Sequence, residues 1–401
     1  MRILYLHQFF MTREGTGGTR SYELARRLVD AGHEVTMVTA GSGRERVVDG
    51  IRVVEARGGY GDYVAATGVG YARRLAAFLL FAASATVAAV RGPRPDVVFA
   101  TSPPLTMALP GILAARRWRV PLVFEVRDLW PEAPIQMGAL RSPLARRLAR
   151  ALERATYRAA TEVVALSPGM RDGVVAAGVA PERVALIPNA SDLDLFSPQL
   201  DPGDVRERLG LGDDFVCSYF GTMGEANDLT QVVEAAEVLR TRGERGVRFV
   251  LQGDGKRRAD LERAVRERRL DAVVLAPAGD KLSAARLAAA SDACMTLFKD
   301  VPILATNSPN KLFDTFAAGR PAIVNTGGWQ RELVEDNDAG LFVRPGDPAS
   351  LADAVVRLRD DRGLARRQGE NARRLAEREF DRELLAERLR EVLERAAGSG
   401  G

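Results

Sequence analysis

A lysine and an aspartate stand three positions apart in the segment SPNKLFDTFAAGRPAIVNTGG, which begins at Ser308. Residues at i and i+3 of a helix share one face, so Lys311 and Asp314 would lie side by side. One interpretation is a surface ion pair, which contributes little to stability. The other is a small-molecule site in which Lys311 binds a phosphate and Asp314 accepts hydrogen bonds from hydroxyls. This segment alone leaves both interpretations open.

Glycine-containing loops follow three strand-like runs and could bring backbone N–H groups close to a phosphate. They are TREGTGGTRSYELARRL with Gly15, Gly17 and Gly18, YFGTMGEANDL with Gly221, Thr222 and Gly224, and LQGDGKRRADL with Gly253 and Lys256. In the first loop, HQFFMTRE separates the glycines from the strand, which argues against a dinucleotide fingerprint. Each loop alone could simply end a strand. Together they predict phosphate contact, provided that the strand ends converge.

Charged side chains also follow the strand in FEVRDLWPEAP. Asp128 is either the N-cap of a helix or a general base at the carboxyl end of a strand. His7, at the end of the first strand, would face the same cleft. We predict Asp128, and after it His7, as catalytic residues, with Arg127 and Glu132 as acceptor or phosphate contacts.

Short apolar runs alternate with amphipathic segments, and continuous apolar runs are typical of strands buried on both faces of a parallel sheet. Seven runs, from RILYL to RVALI, precede the stretch IPNASDLDLFSPQLDPGD, and six follow it. We therefore predict an α/β fold with two doubly wound, Rossmann-like domains and a cleft at their strand ends. The predicted bounds are 1–190 for the first domain, 191–203 for a linker, 204–378 for the second domain, and 379–401 for a helix that packs back on the first domain and ends in a flexible tail.

Composition narrows the class of protein. The chain is 46% hydrophobic and 27% charged, as is typical of a folded, soluble protein. MRILYLHQFF begins as a strand and has no cleavage-site pattern, so no signal peptide is predicted. Cys217 and Cys294 lie in apolar runs and read as reduced core residues of a cytoplasmic protein. Asp192 and Asp194 imitate a metal-binding Asp-x-Asp but follow no buried strand, so we predict turn and capping chemistry and no metal.

Charge is unevenly distributed along the chain. Residues 1–200 carry a net charge of +7 and the remainder carries −3, so the first half suits an anionic partner. Arginine outnumbers lysine 53 to 4, and all four lysines stand in the second half. Each lysine is therefore a candidate for a specific role.

One segment, YARRLAAFLLFAASATVAAVRG, is strongly apolar. Its uncharged core of 16 residues runs from Leu75 to Val90 and is shorter than the about 20 residues that a spanning helix needs. It is either a buried helix of the first domain or a helix that lies in a membrane interface, together with the amphipathic RRLARALERATYR.

With these residues in place, the chain resembles glycosyltransferase family 4, the retaining nucleotide-sugar enzymes with the GT-B fold. The segments GTGGTR, AGHEVTMVT, IPNASDLDLF, LQGDGKRRADL and PNKLFDTFAAGRPAIV match in order and spacing over essentially the whole chain. YLHQFF, VRDLWPEAP and SPNKLFD are most similar to bacterial transferases of amino-deoxy and 6-deoxy sugars for polysaccharide assembly.

The resemblance implies a donor site in the second domain. Asp314 takes the place of the family's glutamate that holds the ribose hydroxyls, and the family's other glutamate falls on Thr306. The Arg and Lys that usually neutralise the diphosphate are missing from GTMGEAN, so Lys311 and Lys256 carry that charge, with backbone N–H groups. The implied donor-binding residues are Gly221, Thr222, Gly224, Gly253, Lys256, Asn310, Lys311 and Asp314.

From this resemblance we predict a metal-independent retaining transferase that moves a sugar from a nucleotide diphosphate to an acceptor hydroxyl, and we expect the nucleotide to be UDP. The acceptor is either a polyprenyl-diphosphate-linked sugar at the cytoplasmic face of the membrane or a soluble small molecule. We predict no cofactor besides the nucleotide-sugar co-substrate and no nucleic-acid partner. A nucleotide-sugar epimerase and a catalytically silent nucleotide-binding scaffold remain as alternatives.

Overall fold

The computed structural model of the chain describes residues 1–15, 17–59 and 71–398, and in them two sheets form the centres of two α/β domains. The first sheet contains β1 (Arg2–Leu6), β2 (Glu34–Ala40), β3 (Glu45–Val48), β4 (Ile51–Ala56), β5 (Val97–Thr101), β6 (Leu122–Val126), β7 (Glu162–Ala165) and β8 (Val184–Leu186). The second contains β9 (Phe215–Phe220), β10 (Val247–Gln252), β11 (Val273–Ala276), β12 (Ala293–Thr296), β13 (Ala322–Val324) and β14 (Gly340–Phe342). The strand order is β3-β4-β2-β1-β5-β6-β7-β8 in the first sheet and β11-β10-β9-β12-β13-β14 in the second.

Helices cover both faces of each sheet. In the first domain they are Arg20–Asp30, Tyr71–Arg91, Ala108–Trp118, Glu132–Gln136, Pro143–Ala159 and Pro168–Ala176, with 3-10 turns at Leu105–Met107 and Pro181–Arg183. In the second domain they are Val205–Arg208, Thr230–Thr241, Arg258–Arg268, Lys281–Ala290, Asn310–Ala317, Trp329–Asp336, Pro348–Asp360 and Arg362–Glu379, with a 3-10 helix at Pro302–Thr306. The last helix is Arg382–Gly398.

The predicted doubly wound, two-domain α/β fold is confirmed. All five residues of β5 and all six of β9 are buried, as expected for strands with helices on both sides. Every strand pair among the described residues is parallel except β3 with β4. The apolar periodicity therefore predicted both the strands and the architecture.

Strand β3 is absent from the sequence prediction. Its residues ERVV are mostly exposed and pair antiparallel with β4 at the edge of the first sheet. Asp49 and Gly50, which join the two strands, both have positive φ, at 47° and 77°. An Asp-Gly pair between two strand-forming runs is a strong hairpin signal, so this turn carried information that an apolar pattern could not.

The chain crosses twice between the domains, at Ser191 and at Asp381, and these two crossings pair with each other. The Ser191 N–H donates to the carbonyl of Phe380 at 3.0 Å, and beyond this point the last helix returns to the first domain. Its buried side chains Leu385, Leu389 and Leu393 belong to the first domain's core. Residues 399–401 of the predicted flexible tail lie outside the described residues.

Asp192 holds this crossing together through its side chain. One carboxylate oxygen lies 2.8 Å from Arg382 Nε, 3.3 Å from Arg27 Nη2 and 3.5 Å from Arg13 Nη2. The prediction of turn and capping chemistry was therefore wrong for this side chain. Three arginines from distant parts of the sequence converge on Asp192, and the residues next to Asp192 in the sequence do not predict these contacts.

Candidate active site

Two adjoining cavities open between the domains, with volumes of about 470 Å³ and about 310 Å³. The larger one lies between the glycine loop before helix Arg20–Asp30 and the carboxyl ends of the second domain's strands. The smaller one lies against the ends of β1 and β6. Both are lined by Gly17, Gly18, Thr222, Pro309 and Asn310, so the two cavities share one wall. We call the larger one the donor cavity and the smaller one the acceptor cavity, after the roles that the sequence predicts for their residues.

Lys311 reaches the donor cavity without a carboxylate partner among the described residues. Its Nζ donates to Tyr219 Oη at 2.7 Å, and Tyr219 Oη in turn donates to the carbonyl of Thr222. The ammonium also lies 4.1 Å from the centre of the Tyr219 ring. Burial lowers the pKa of Lys311 from 10.5 to about 7. A partly buried cation without a counterion favours an anion in this cavity, and the structure therefore disfavours the surface ion pair that the sequence left open.

Asp314 lines the same cavity, but its partner is a lysine that the sequence analysis did not single out. The Asp314 carboxylate accepts a hydrogen bond from Ser191 Oγ at 2.8 Å and lies 3.3 Å from Lys281 Nζ. Burial raises the pKa of Asp314, although Lys281 opposes this effect. Lys281 begins the helix Lys281–Ala290, 33 positions before Asp314, and only the fold of the second domain brings these two side chains together.

The glycines of the two second-domain loops allow their backbones to touch. A Cβ atom on Gly253 would lie 1.9 Å from the carbonyl oxygen of Gly221, and one on Gly255 would lie 2.7 Å from that of Met223. Gly253 also has a φ of +154°, which side-chain-bearing residues rarely adopt. Glycine is thus required here so that the ends of β9 and β10 pack closely. Gly221, Thr222 and Gly253 line the donor cavity as a result.

Asn310 stands where the two cavities meet. It begins the helix Asn310–Ala317, whose first N–H groups have no partner within the helix. Its Oδ1 atom is buried and makes no hydrogen bond to any described residue. From the other domain, Gly18 approaches so closely that a Cβ there would lie 3.5 Å from Asn310 Nδ2. The predicted loop of Gly15, Gly17 and Gly18 therefore faces the second domain's residues across the cleft.

A buried ion pair fixes the glycine loop relative to β6. Arg20, the first residue of its helix, donates through Nη2 to Glu125 Oε1 at 2.8 Å, and through Nη1 to the carbonyl of Pro188. Thr101 Oγ1 donates to the other oxygen of Glu125 at 2.7 Å. Burial would raise the pKa of Glu125, but Arg20 and Arg127 lower it below the ordinary value. Glu125 belongs to β6, and the acceptor-cavity residues Arg127 and Asp128 follow directly after this strand.

His7 is 1% exposed and both of its ring nitrogens have partners. Burial, together with the nearby Arg127, holds its pKa well below the ordinary value, so the ring is neutral. Arg127 Nη1 lies 3.1 Å from Nε2, which accepts its hydrogen bond, and Nδ1–H is left to donate to Ser21 Oγ at 2.9 Å. The imidazole therefore holds the Arg127 guanidinium toward the acceptor cavity. No lone pair of His7 remains for a substrate in this arrangement.

Asp128 lines the acceptor cavity, and its carboxylate makes no hydrogen bond to another described side chain or backbone group. The N-cap interpretation is wrong, because the following helix begins at Glu132 after Pro131 and has no side-chain cap. Burial raises the pKa of Asp128 to about 6, with Arg127 acting in the opposite direction. The carboxylate is thus ionised at neutral pH and can accept a proton or a hydroxyl hydrogen bond.

Some predicted site residues lie outside both cavities. The Glu132 side chain accepts from Gln136 Nε2 at 3.1 Å and lies 3.6 Å from Arg150, so it faces the neighbouring helix. The Lys256 side chain is 60% exposed and pairs with Glu225 at 3.1 Å. Gly224 precedes Glu225 in the loop after β9 and lines neither cavity.

Thr306 lies at the contact between the domains. Its carbonyl accepts a hydrogen bond from Ser167 Oγ, and Gly169 of the first domain packs against its side chain. Beside it, Leu129 and Met137 of the first domain pack against Ile303 and Leu304. The segment after Asp128 is therefore part of the domain contact.

Within the ranges that the structure describes, no three His, Cys, Asp or Glu side chains gather as metal ligands. In the same ranges, every helix is too short or too polar to cross a bilayer. The cysteines Cys217 and Cys294 are buried and unpaired.

Comparisons with known proteins agree with this geometry. Residues 15–190 match the glycosyl transferase 4-like domain and residues 214–361 match the glycosyl transferases group 1. The alpha-D-kanosaminyltransferase of Streptomyces kanamyceticus is 29% identical over 172 residues, which cover 42% of this chain and 42% of that protein. The UDP-Gal:alpha-D-GlcNAc-diphosphoundecaprenol alpha-1,3-galactosyltransferase of Escherichia coli is 27% identical over 189 residues, covering 46% of this chain and 48% of that protein. The chain thus matches about half the length of these two relatives.

Solved structures share the whole fold. HepE of Anabaena, in complex with UDP and glucose, has a TM-score of 0.75 at 20% identity and covers 98% of this chain and 100% of its own. The sucrose-phosphate synthase of Thermosynechococcus elongatus has a TM-score of 0.78 at 19% identity, with 99% of each chain covered. The two family matches, to residues 15–190 and 214–361, together span most of the sequence. The cleft between these two domains holds the two cavities described above. The chain therefore belongs to glycosyltransferase family 4 and has the GT-B fold.

Proposed function

We propose that this protein transfers a sugar from UDP to an acceptor hydroxyl with retention of the anomeric configuration. One observation carries the proposal above the others: Lys311, which has no carboxylate partner in the described part of the chain, offers an ammonium to a cavity that Asp314 also lines. A nucleoside diphosphate presents both of the groups that these side chains would bind. The cation would meet the diphosphate and the carboxylate would meet the ribose.

The leaving diphosphate gains negative charge as the glycosidic bond breaks, and stabilising that charge is the main catalytic task. Lys311, the backbone N–H groups near Gly221 and Thr222, and the N-terminus of helix Asn310–Ala317 would supply this stabilisation. The reaction as proposed needs no metal or other cofactor, because these groups replace the positive charge that a metal would bring. Lys256 would bind the donor only after leaving Glu225.

On the acceptor side, Asp128 would orient the attacking hydroxyl and take up its proton. Its pKa of about 6 leaves the carboxylate ionised at pH 7, which a base requires. Arg127, held by His7, would bind a phosphate or hydroxyl of the acceptor. His7 itself acts through Arg127 in this scheme.

UDP is the proposed nucleotide because the names of similar proteins point to it. The Escherichia coli relative is named for a UDP-galactose donor, and HepE was solved with UDP and with UDP-glucose.

A lipid-linked acceptor is favoured by the surface of the first domain. Seven of the nine large hydrophobic side chains described as exposed fall on three adjacent helices, Tyr71–Arg91, Ala108–Trp118 and Pro143–Ala159. They are Leu79, Leu80, Val87, Leu109, Leu113, Leu144 and Leu148. The third helix also carries five arginines and one glutamate. An apolar face with a cationic rim suits an anionic bilayer.

One of these helices follows closely in sequence after a residue of the acceptor cavity. Pro103, which lines that cavity, is two residues before the 3-10 turn that leads into Ala108–Trp118. A sugar on a polyprenyl diphosphate could therefore enter the cavity from a membrane under this face. We propose a cytoplasmic location at the inner membrane surface on this basis.

Flotation with vesicles of anionic lipid tests the membrane contact. We expect the protein to float with these vesicles. The double variant Leu144→Gln/Leu148→Gln should remain at the bottom, because it replaces two apolar side chains that are 66% and 62% exposed. Neither side chain belongs to the core, so the fold should be retained. Failure of the unchanged protein to float would exclude the membrane contact and favour a soluble small-molecule acceptor.

The function itself is tested by incubating the protein with a panel of UDP-sugars and hydroxyl acceptors, followed by mass spectrometry and NMR of the products. We expect a product one glycosyl unit heavier with the anomeric configuration of the donor. Isomerised donor without transfer would indicate an epimerase. Binding of UDP without turnover, unaffected by Asp128→Asn, would indicate a scaffold.

A further inference from the structure

Lys281 occupies an unusual position for a lysine. It is the first residue of helix Lys281–Ala290, where the helix dipole disfavours a cation. Asp280 caps this helix through a hydrogen bond to Ser283 N, so the lysine is not needed to begin the helix. Its side chain is only 12% exposed although lysine is ordinarily solvated. A feature that helix stability does not explain calls for another role.

The Lys281 ammonium lies beside the Asp314 carboxylate but does not saturate it. Its Nζ is 3.3 Å from Oδ2 and 3.5 Å from Oδ1, whereas a charge-assisted hydrogen bond is ordinarily about 2.7–2.9 Å long. It also lies 5.2 Å from the centre of the Phe196 ring. An ammonium has three N–H groups, so at least one remains for a ligand. Both Lys281 and Asp314 line the donor cavity.

An ammonium and a carboxylate side by side form a matched pair for two neighbouring hydroxyls. One hydroxyl can donate to Asp314 Oδ2 while the next accepts from an N–H group of Lys281 Nζ, since the two charged groups lie 3.3 Å apart and both line the cavity. The aspartate is one methylene shorter than a glutamate, and a second group at this place compensates for its shorter reach.

We propose that Lys281 is a specificity-determining residue of the donor site, which together with Asp314 recognises the two ribose hydroxyls and selects ribonucleotides over deoxyribonucleotides. This inference rests on the proposed function, because it assumes that a nucleoside diphosphate fills the donor cavity. A donor that lacks one ribose hydroxyl leaves either Lys281 or Asp314 without a hydrogen bond to the ligand. Sites built to bind a hydroxyl in this way reject such analogues strongly.

The same residue touches the first domain. The Lys281 N–H lies 3.5 Å from the carbonyl oxygen of Arg13, which stands at the start of the glycine loop. Arg13 in turn pairs with Glu23 at 2.5 Å. The residue beside Asp314 in the donor cavity is therefore also a point of contact between the two domains.

Isothermal titration with UDP, 2′-deoxy-UDP and 3′-deoxy-UDP tests the proposal. For the unchanged protein we expect UDP to bind at least about tenfold more tightly than one of the two deoxy analogues. Lys281→Met keeps the length and the apolar stem of the side chain but removes the charge. This variant should bind UDP and the disfavoured deoxy analogue with similar affinity. Its affinity for that analogue should stay within about twofold of the value for the unchanged protein. Lys281→Arg, which retains the donor N–H groups, should keep the preference.

Lys299→Met is the matched control, because Lys299 pairs with Glu225 and lines neither cavity. It should preserve the affinities of all three nucleotides. If Lys281→Met weakens UDP and both analogues by the same factor, or changes none of them, the proposed recognition is overturned while the donor site stands. If the unchanged protein binds no nucleotide, the proposed function falls and this inference falls with it.

Discussion

We expect Lys311 to make the proposed binding of UDP dependent on pH, by an amount that can be calculated. In the free protein burial holds the pKa of its ammonium at about 7, against an ordinary 10.5. A diphosphate beside the ammonium favours the charged form and returns the pKa toward its ordinary value. The complex therefore binds more protons than the free protein, so nucleotide affinity must decrease as the pH rises above about 7.

The magnitude follows from the fraction of Lys311 that is protonated before UDP arrives. With a pKa of about 7, this fraction falls from roughly one half at pH 7 to roughly 3% at pH 8.5. Affinity should then fall roughly 15-fold over this interval. The terminal phosphate of UDP, with a pKa of about 6, is already ionised throughout and contributes little to the change.

Isothermal titration calorimetry in two buffers of different protonation enthalpy measures both the affinity for UDP and the number of protons taken up on binding. We expect uptake of roughly half a proton per UDP at pH 7, rising toward one proton at pH 8.5. Lys311→Met should bind weakly at both pH values, and Lys311→Arg, whose guanidinium does not titrate in this range, should bind with no pH dependence. An equal slope in the unchanged protein and in Lys311→Met would refute the reasoning, since the titrating group would then lie elsewhere.

Three further predictions concern catalysis and stability. Asp128→Asn should lower kcat by at least about 10²-fold and abolish the acid limb near pH 6, with UDP affinity unchanged within twofold; a retained acid limb would place the base elsewhere. Arg20→Met should reduce the free energy of unfolding by about 3–5 kcal/mol in urea titrations, because it leaves the Glu125 carboxylate buried without its partner, and a loss below about 1 kcal/mol would contradict this. Gly253→Ala should weaken UDP binding at least about tenfold, because the added Cβ would lie 1.9 Å from the Gly221 carbonyl oxygen and the loops must separate; unchanged affinity would show that their contact does not shape the site.

Much of the architecture could be predicted from the sequence. Buried parallel strands are apolar along their whole length, and this signal is local, so both sheets and the position of the cleft followed from it. The β3–β4 hairpin was missed because its strand is exposed and polar, although Asp49 and Gly50 announced the turn.

Within the site, local patterns predicted residues on one element well. Lys311 and Asp314 share a helix, and the structure places both at the donor cavity. Lys281 could not be paired with Asp314 from the sequence, because the helix of Lys281 follows β11 whereas that of Asp314 follows β12, three positions away in the sheet order. The scarcity of lysine was the available signal, and it applied equally to Lys256, whose side chain pairs with Glu225 at the surface.

Burial decided the remaining differences. The sequence presents His7 as an ordinary candidate base, whereas in the fold it is enclosed and accepts a hydrogen bond from Arg127. Glu132 follows Asp128 closely in the chain, but the turn at Pro131 directs it to Arg150 on the next helix. Such orientations depend on contacts between distant segments, which a spacing argument does not contain.

A crystal structure of the full chain with UDP would test the central claim most directly. We expect the ammonium of Lys311 to leave Tyr219 for the diphosphate, and the ribose hydroxyls to lie within hydrogen-bond distance of Asp314. A nucleotide bound outside the cleft, or one whose diphosphate lies away from an unmoved Lys311, would contradict it.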